Sequence, residues 1–94
     1  MGVEIVRVPH DFNHPTDEVG EVISGAHHEP LYYADEARKT CFQIYENVSE
    51  GTPQSPVFTG MRELKSWLES QGWEQNQIAF LVEHGHAPSF VFRN

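Results

Sequence analysis

The amino-acid sequence predicts an α+β fold, in which a small antiparallel sheet of three to four strands carries two helices on one face. Three observations lead to this prediction. Short segments rich in β-branched and aromatic residues lie near both ends and in the middle of the chain. Two segments with helical periodicity follow one another in the second half. The length of 94 residues suits one domain, so we expect a single domain over residues 1–94.

The first part of the chain predicts short elements around a long polar segment. Residues 3–8 are mostly β-branched and predict a strand. Residues 9–30 are rich in His, Gly, Asp and Glu and predict a loop with one helical turn over residues 16–23. Residues 32–34 predict a short strand, and residues 34–39 predict a turn or a single helical turn.

The clearest strand is predicted over residues 40–48, where successive side chains are expected to alternate between the two faces of a sheet. The alternation places Phe42 and Ile44 on one face and Cys41, Gln43 and Tyr45 on the other. Residues 49–55 contain Gly and Pro and predict a turn-rich connection. Residues 56–58 predict a short strand that begins at a sheet edge, because proline cannot donate to a ladder.

Two helices are predicted in the second half, over residues 60–71 and 74–84. The first has an apolar stripe at helical spacing, formed by Met61, Leu64, Trp67 and Leu68. Gly72 suits a left-handed helix end, and the following Trp73 is expected either to pack against the domain or to lie half exposed as an interface anchor. Residues 89–92 predict a closing strand.

The chain is acidic because its basic residues are scarce. It has 14 Asp and Glu residues but only 6 Lys and Arg residues, and its formal charge is −8 at pH 7 with neutral histidines. Binding to nucleic acid or to an anionic membrane needs clustered Lys and Arg. We therefore expect no direct contact with either, and we expect a partner with a basic surface. The same charge also fits a role in solubility alone.

Neither a disulfide nor secretion is indicated. Cys41 is the single cysteine, and its place in a predicted strand favours a buried, apolar role. No apolar run approaches the roughly 18 residues of a membrane helix, and the N-terminal segment lacks the pattern of a signal peptide. We expect a protein of the cytoplasm.

The six histidines are the residues most able to carry chemistry, and they fall in three groups: His10 and His14, His27 and His28, and His84 and His86. A zinc site needs three or four converging ligands, and these spacings match no helical zinc motif. The serines lack a nucleophile elbow, and the glycines form neither a dinucleotide pattern nor a P-loop. We interpret the histidines as loop and surface residues. We expect no metal, no cofactor and no catalytic residue, and hence no enzyme.

Residues 42–58, FQIYENVSEGTPQSPVF, resemble a pattern found in small uncharacterised proteins of bacteriophages and prophages. In that pattern a helix ending in Trp-Leu follows, as Trp67 and Leu68 do here. Residues 8–15, VPHDFNHP, are similar to the start of the same family, with His14 at a position where relatives carry an aromatic residue. The chain also lacks a middle insert that is common in the family. The resemblance implies a phage origin, but no particular activity.

A small acidic phage protein is expected to act by binding. Our leading hypothesis, by analogy with a class of phage proteins, is an anti-CRISPR-like inhibitor of a host defence complex, whose partner is a host protein or ribonucleoprotein with a basic surface. The predicted contact residues are Asp17, Glu18, Glu21, Glu29, Asp35, Glu36 and Trp73. One alternative is a structural or accessory phage protein that binds another phage component. The other is a small histidine-based metal-binding or hydrolytic domain.

Overall fold

A computed structural model describes residues 2–88 and shows an α+β fold with an open, four-stranded antiparallel sheet. Its elements in chain order are β1 Gly2–Val8, α1 His28–Tyr33, a 3-10 helix Glu36–Arg38, β2 Cys41–Glu46, β3 Thr52–Pro53, α2 Met61–Ser70, α3 Gln75–His84 and β4 His86–Pro88. The strands lie in the order β3-β2-β1-β4, so β1 and β2 occupy the centre. The predicted fold class is confirmed.

The central strands β1 and β2 are apolar on both faces. They pair from Val3 opposite Glu46 to Val8 opposite Cys41. Successive side chains of a strand point to opposite faces, and the predicted alternation of β2 is confirmed. Ile44 packs in the main core, whereas Cys41 packs with Val8 in a second cluster on the other face. Both faces of the sheet therefore need a cover.

Helices α2 and α3 cover one face, as predicted. The apolar stripe of α2 lies on the sheet side, where Leu64 and Leu68 are fully buried. Trp67 is half-buried, and its ring centroid lies 6.0 Å from that of Phe58. The main core consists of Val3, Ile44, Phe58, Leu64, Leu68, Trp73, Ile78, Leu81 and Ala87.

Trp73 belongs to this core, so the prediction that it is half exposed is wrong. Only 8% of the residue is exposed. Gly72, with φ of +92°, takes the left-handed conformation after α2, and the Trp73 amide donates to the Leu68 carbonyl at 3.1 Å. This turn directs the chain back towards the sheet, and the indole packs in the core.

The opposite face of the sheet is covered by residues 9–33, which we name the loop layer. Helix α1 lies within it and buries Leu31 against Val8 and Cys41, with Phe12 packed against the same cluster. Two helices on one face were predicted correctly, but the prediction missed this second cover.

The predicted strand over residues 32–34 is wrong, because the segment forms the end of α1. Pro30 lies in the first turn, where an amide has no helical partner and proline is tolerated. The helix buries Leu31 while Tyr32 and Tyr33 stay exposed. Burial of one leucine outweighs the strand propensity of two tyrosines.

The predicted helical turn over residues 16–23 is also wrong. Thr16 forms an isolated antiparallel bridge with Val22, so the segment closes like a hairpin. Gly20 has φ of +89°, which a right-handed helix does not contain. The Asp17 carboxylate accepts amide hydrogens inside the turn, and such local bonds compete with helix formation.

The third strand lies earlier in the chain than predicted. β3 pairs with the end of β2, whereas the predicted strand over residues 56–58 contributes one isolated bridge, between Phe58 and Phe42. Between these contacts, the Ser55 hydroxyl accepts the Ile44 amide at 2.9 Å. The Ser55 side chain thus replaces a backbone hydrogen-bond partner of β2, and regular strand pairing is interrupted at this residue.

Two further segments complete the comparison with the sequence. The turn predicted over residues 34–39 is confirmed and contains the 3-10 helix. The predicted strand over residues 89–92 lies outside the described residues. The strand that pairs with the outer edge of β1 is β4, at His86–Pro88.

Leu64→Ala is expected to lower the free energy of unfolding by about 2–5 kcal/mol, because it removes a fully buried side chain from the main core. The matched control is Ser66→Ala, an exposed position on the same helix, which should change stability by less than about 0.5 kcal/mol. Urea unfolding followed by circular dichroism measures both. A Leu64→Ala variant as stable as its control would contradict the core assignment.

Candidate functional site

The loop layer carries charge of one sign. It contains no Lys or Arg, and its acidic residues are Asp11, Asp17, Glu18, Glu21 and Glu29. Each of these side chains is exposed. One face of the sheet is therefore covered by a surface that is acidic without internal compensation.

Residues 16–22 form the best-defined part of this surface, and we name them the acidic turn. One oxygen of the Asp17 carboxylate accepts the amides of Val19 and Glu21, each at 3.0 Å. The Asp17 amide donates to the Glu21 carbonyl at 2.8 Å, and the Gly20 amide donates to the Asp17 carbonyl at 3.1 Å. Backbone and side chain together fix the conformation of the turn.

The acidic turn presents an apolar side chain between two carboxylates. Val19 is 80% exposed, with Glu18 before it and Glu21 two residues after it. The predicted exposure of Asp17, Glu18 and Glu21 is confirmed. The sequence prediction missed Val19, although an Asp followed three residues later by Gly is typical of a tight turn that would expose it.

The other predicted acidic contact residues differ from those of the acidic turn. Glu29, Asp35 and Glu36 are exposed, but Glu36 forms ion pairs with Lys39 at 2.6 Å and Arg7 at 3.3 Å. The Lys39 ammonium, by its hydrogen bond and its charge, and then Arg7 hold the pKa of Glu36 below its ordinary value. Asp35 accepts the Ala37 amide and caps the 3-10 helix. Much of this group is already engaged within the chain.

Four aromatic side chains form a cluster between the loop layer and β2: His14, His27, His28 and Tyr45. The interpretation of all histidines as loop and surface residues is wrong for His27, which is only 2% exposed. Its ring centroid lies 4.1 Å from those of both Tyr45 and His28. The buried Tyr45 ring gives His27 an apolar surface on which to pack, and this contact was invisible in the sequence.

Hydrogen bonds define the tautomer of the neutral His14 ring. Its Nε2 lies 2.6 Å from the Ile23 carbonyl, which only accepts, so Nε2 carries the proton. The remaining ring nitrogen, Nδ1, accepts from the Tyr45 hydroxyl at 2.9 Å. Burial raises the pKa of Tyr45, which keeps the phenol protonated as a donor. This chain of bonds connects β2 to the loop layer.

His27 is held in its uncharged form at neutral pH. Burial, followed by the neighbouring charges of His28 and His14, lowers its pKa from 6.5 to about 4. Its Nδ1 is buried and has no hydrogen-bond partner among residues 2–88. Protonation of this ring therefore opposes the packed state of the cluster.

The turn after β2 fastens the loop layer from the side. The Glu46 carboxylate accepts the Ser49 hydroxyl, which is the main cause of a lowered pKa at Glu46. The Ser49 hydroxyl also meets the Ser24 hydroxyl at 2.7 Å. The Gly51 carbonyl accepts the Gly25 amide at 2.8 Å. Residues 49–51 thus contact the loop layer directly.

An open groove of about 790 Å³, which we name the Gln43 groove, lies between the start of the loop layer and the segment after β3. Its apolar walls are Phe12, Val22, Pro53, Pro56 and Val57. Gln43, 7% exposed, lines the groove and donates from Nε2 to the Ser55 carbonyl at 2.9 Å. Because that carbonyl only accepts, the orientation of the amide is fixed, and Oε1 is left buried with no partner within residues 2–88.

The chemistry open to the cluster is limited by its own bonds. Both nitrogens of His14 are engaged, and Nε2 of His28 donates to the Glu50 carbonyl at 2.9 Å. In the described part of the chain, no three His, Cys, Asp or Glu side chains converge as a metal ion requires. Cys41 is buried. The geometry of the cluster favours a packing role.

None of the helices within residues 2–88 combines the length and the apolar character needed to cross a bilayer. Comparison with known proteins gave no match, since no family model, no curated protein and no solved structure is significantly similar to the chain. The resemblance of residues 42–58 to phage proteins accordingly stays a prediction.

The free energy of unfolding is expected to decrease as the pH falls from 6.5 to about 4. In that range the unfolded chain takes up a proton at His27 that the folded chain resists, so the stability present above pH 6.5 is lost. Urea unfolding at intervals of pH measures the slope. His27→Phe keeps a ring that cannot be protonated and should flatten the profile, whereas His10→Gln at an exposed position should not. An unchanged slope in His27→Phe would contradict this account.

Gly51→Ala is expected to destabilise the chain more than Gly72→Ala. Both glycines have positive φ, so each substitution carries a backbone cost of about 1–2 kcal/mol. A Cβ at Gly51 would also lie 2.6 Å from Cε1 of His27, whereas a Cβ at Gly72 would meet nothing within 4 Å. The difference between the two variants in urea unfolding measures the contact with His27. Equal losses of stability in the two variants would show that the His27 ring moves aside without a cost in free energy.

Proposed function

We propose that this chain is a binding protein that recognises a basic surface on another macromolecule and acts by stoichiometric contact rather than by catalysis. The acidic turn carries this proposal, because it holds Val19 between Glu18 and Glu21 in a conformation fixed by its own hydrogen bonds. The apolar side chain can be buried when a partner binds, and the neighbouring carboxylates attract a basic partner.

The composition of the loop layer supports the same proposal. Its acidic residues have no Lys or Arg among them, so the potential over this face of the molecule is negative. Glu29 lies on this layer and belongs to the proposed contact surface. Asp35 and Glu36 are engaged within the chain, and Trp73 is in the core, so the acidic turn is the primary contact element.

A finer proposal names the partner. Complexes that handle nucleic acid expose channels lined by Lys and Arg, and an acidic protein surface can occupy such a channel. Together with the resemblance of residues 42–58 to phage proteins, this supports a phage-encoded inhibitor that acts in the host cytoplasm on a defence complex of the CRISPR effector type. The partner would then be a host protein or ribonucleoprotein, bound without direct contact to nucleic acid.

The double substitution Glu18→Gln, Glu21→Gln tests the proposal, because it removes two charges whose carboxylates make no hydrogen bond described in the chain. The tagged wild type should recover its partner from bacterial lysate and, at equimolar amounts, block the activity of the purified partner. Association of the double variant should be slower by roughly tenfold at low salt and less sensitive to added salt. Val19→Ser should instead speed dissociation.

The matched control is Glu63→Gln, Glu83→Gln, which removes the same charge from exposed positions on α2 and α3. It should bind nearly as the wild type does. If both double variants lose affinity equally, overall charge rather than the acidic turn governs binding. If neither loses affinity and the salt dependence is flat, recognition of a basic surface is wrong.

A further inference from the structure

We propose that the Gln43 groove holds an arginine side chain of the bound partner. The inference rests on the proposed function for the nature of the partner. The chemistry of the bound group, however, follows from the hydrogen bonds, the charges and the shape of the groove.

The first argument is the hydrogen-bonding capacity of the buried groups. The Ser55 hydroxyl has no proton left to donate, because it donates to the Pro56 carbonyl at 2.9 Å, and it also accepts the Ile44 amide at 2.9 Å. His14 also lines the groove, and both its nitrogens are engaged. The buried group left over is Oε1 of Gln43, which can only accept. A ligand that satisfies the groove must therefore donate.

The charge of the groove favours a cationic ligand. Asp11 lines the same groove with an exposed carboxylate, and no Lys or Arg is among the described residues that line it. Val22 belongs both to the groove and to the acidic turn, so the two sites adjoin. A cationic donor gains from this potential, whereas a neutral donor satisfies Oε1 alone.

The shape of the groove favours a long side chain. The apolar walls suit the methylene stem of a long side chain whose charged end seeks acceptors. A guanidinium carries five donors in one plane, so it can pair with more than one acceptor, and Gln43 and Asp11 both line the groove. The volume of about 790 Å³ leaves room for the backbone on either side of the arginine.

N-acetyl-arginine methylamide is the probe that tests the groove without any protein partner. We expect a saturable titration in ¹H–¹⁵N correlation spectra, with shifts in the side-chain amide of Gln43 and the backbone amides of Asp11 and Val57. N-acetyl-citrulline methylamide, which has a similar shape but no charge, should bind at least tenfold more weakly. The comparison separates cation recognition from simple hydrogen bonding.

Variants locate the site. Asp11→Asn should weaken binding of the arginine probe by about two- to fivefold, the range of an exposed ion pair. Glu83→Gln, which removes the same charge from α3, should bind like the wild type. Gln43→Met should weaken binding by about tenfold or more, because a hydrogen bond to a charged group is lost. If Gln43→Met fails to fold, Asp11→Asn and the citrulline probe still decide the matter.

Three outcomes would overturn the proposal: no shift at Gln43, equal binding of arginine and citrulline probes, or equal effects of Asp11→Asn and Glu83→Gln. Arginine shifts confined to the acidic turn would also overturn it, while leaving recognition of a basic surface intact. Conversely, the groove can bind the arginine probe while the acidic-turn variants bind the partner as the wild type does. That pair of results would support the arginine site and would contradict the acidic turn as the primary contact element.

Discussion

The central pair of strands, β1 and β2, imposes the constraint on which the rest of the structure depends. Their side chains are apolar on both faces, so one layer of helices cannot complete the fold. The chain has two helices of ten residues for one face and an irregular segment for the other. The irregular cover has few apolar residues, so it is held by hydrogen bonds to β2 and to the turn that follows β2.

This requirement explains the roles of several residues within residues 42–58. The Gln43 side chain donates to the Ser55 carbonyl, and the Ser55 hydroxyl accepts the Ile44 amide, so both bonds join β2 to the segment after β3. Glu46 and Ser49 shape the turn that contacts the loop layer, and Gly51 leaves space for the His27 ring. Each of these residues thus has a role inside the fold.

The sequence predicted the regular part of the molecule well, because periodicity reports burial directly. The stripe of α2 and the alternation of β2 both appear in the structure as expected. Segments without periodicity were predicted poorly, since their conformation depends on distant partners. Leu31 lies in a helix because it packs there against Val8 and Cys41, and His27 is buried because its ring packs against the ring of Tyr45. Of the candidate site, the exposed acids were predicted and the exposure of Val19 was predictable from the turn pattern around it, whereas the groove required the fold.

The two covers of the sheet differ in what holds them, and this has a consequence for how the molecule opens. The helical cover contributes Leu64, Leu68, Ile78 and Leu81 to the main core, so its release exposes much apolar surface and approaches complete unfolding. The irregular cover rests on polar bonds and a small cluster around Leu31, so it can detach while the other half persists. Backbone amides of the loop layer are then expected to exchange with solvent through local opening, before those of α2. The face that carries the acidic surface is thus the less cooperative half of the molecule, and a partner that binds it would stabilise that half most.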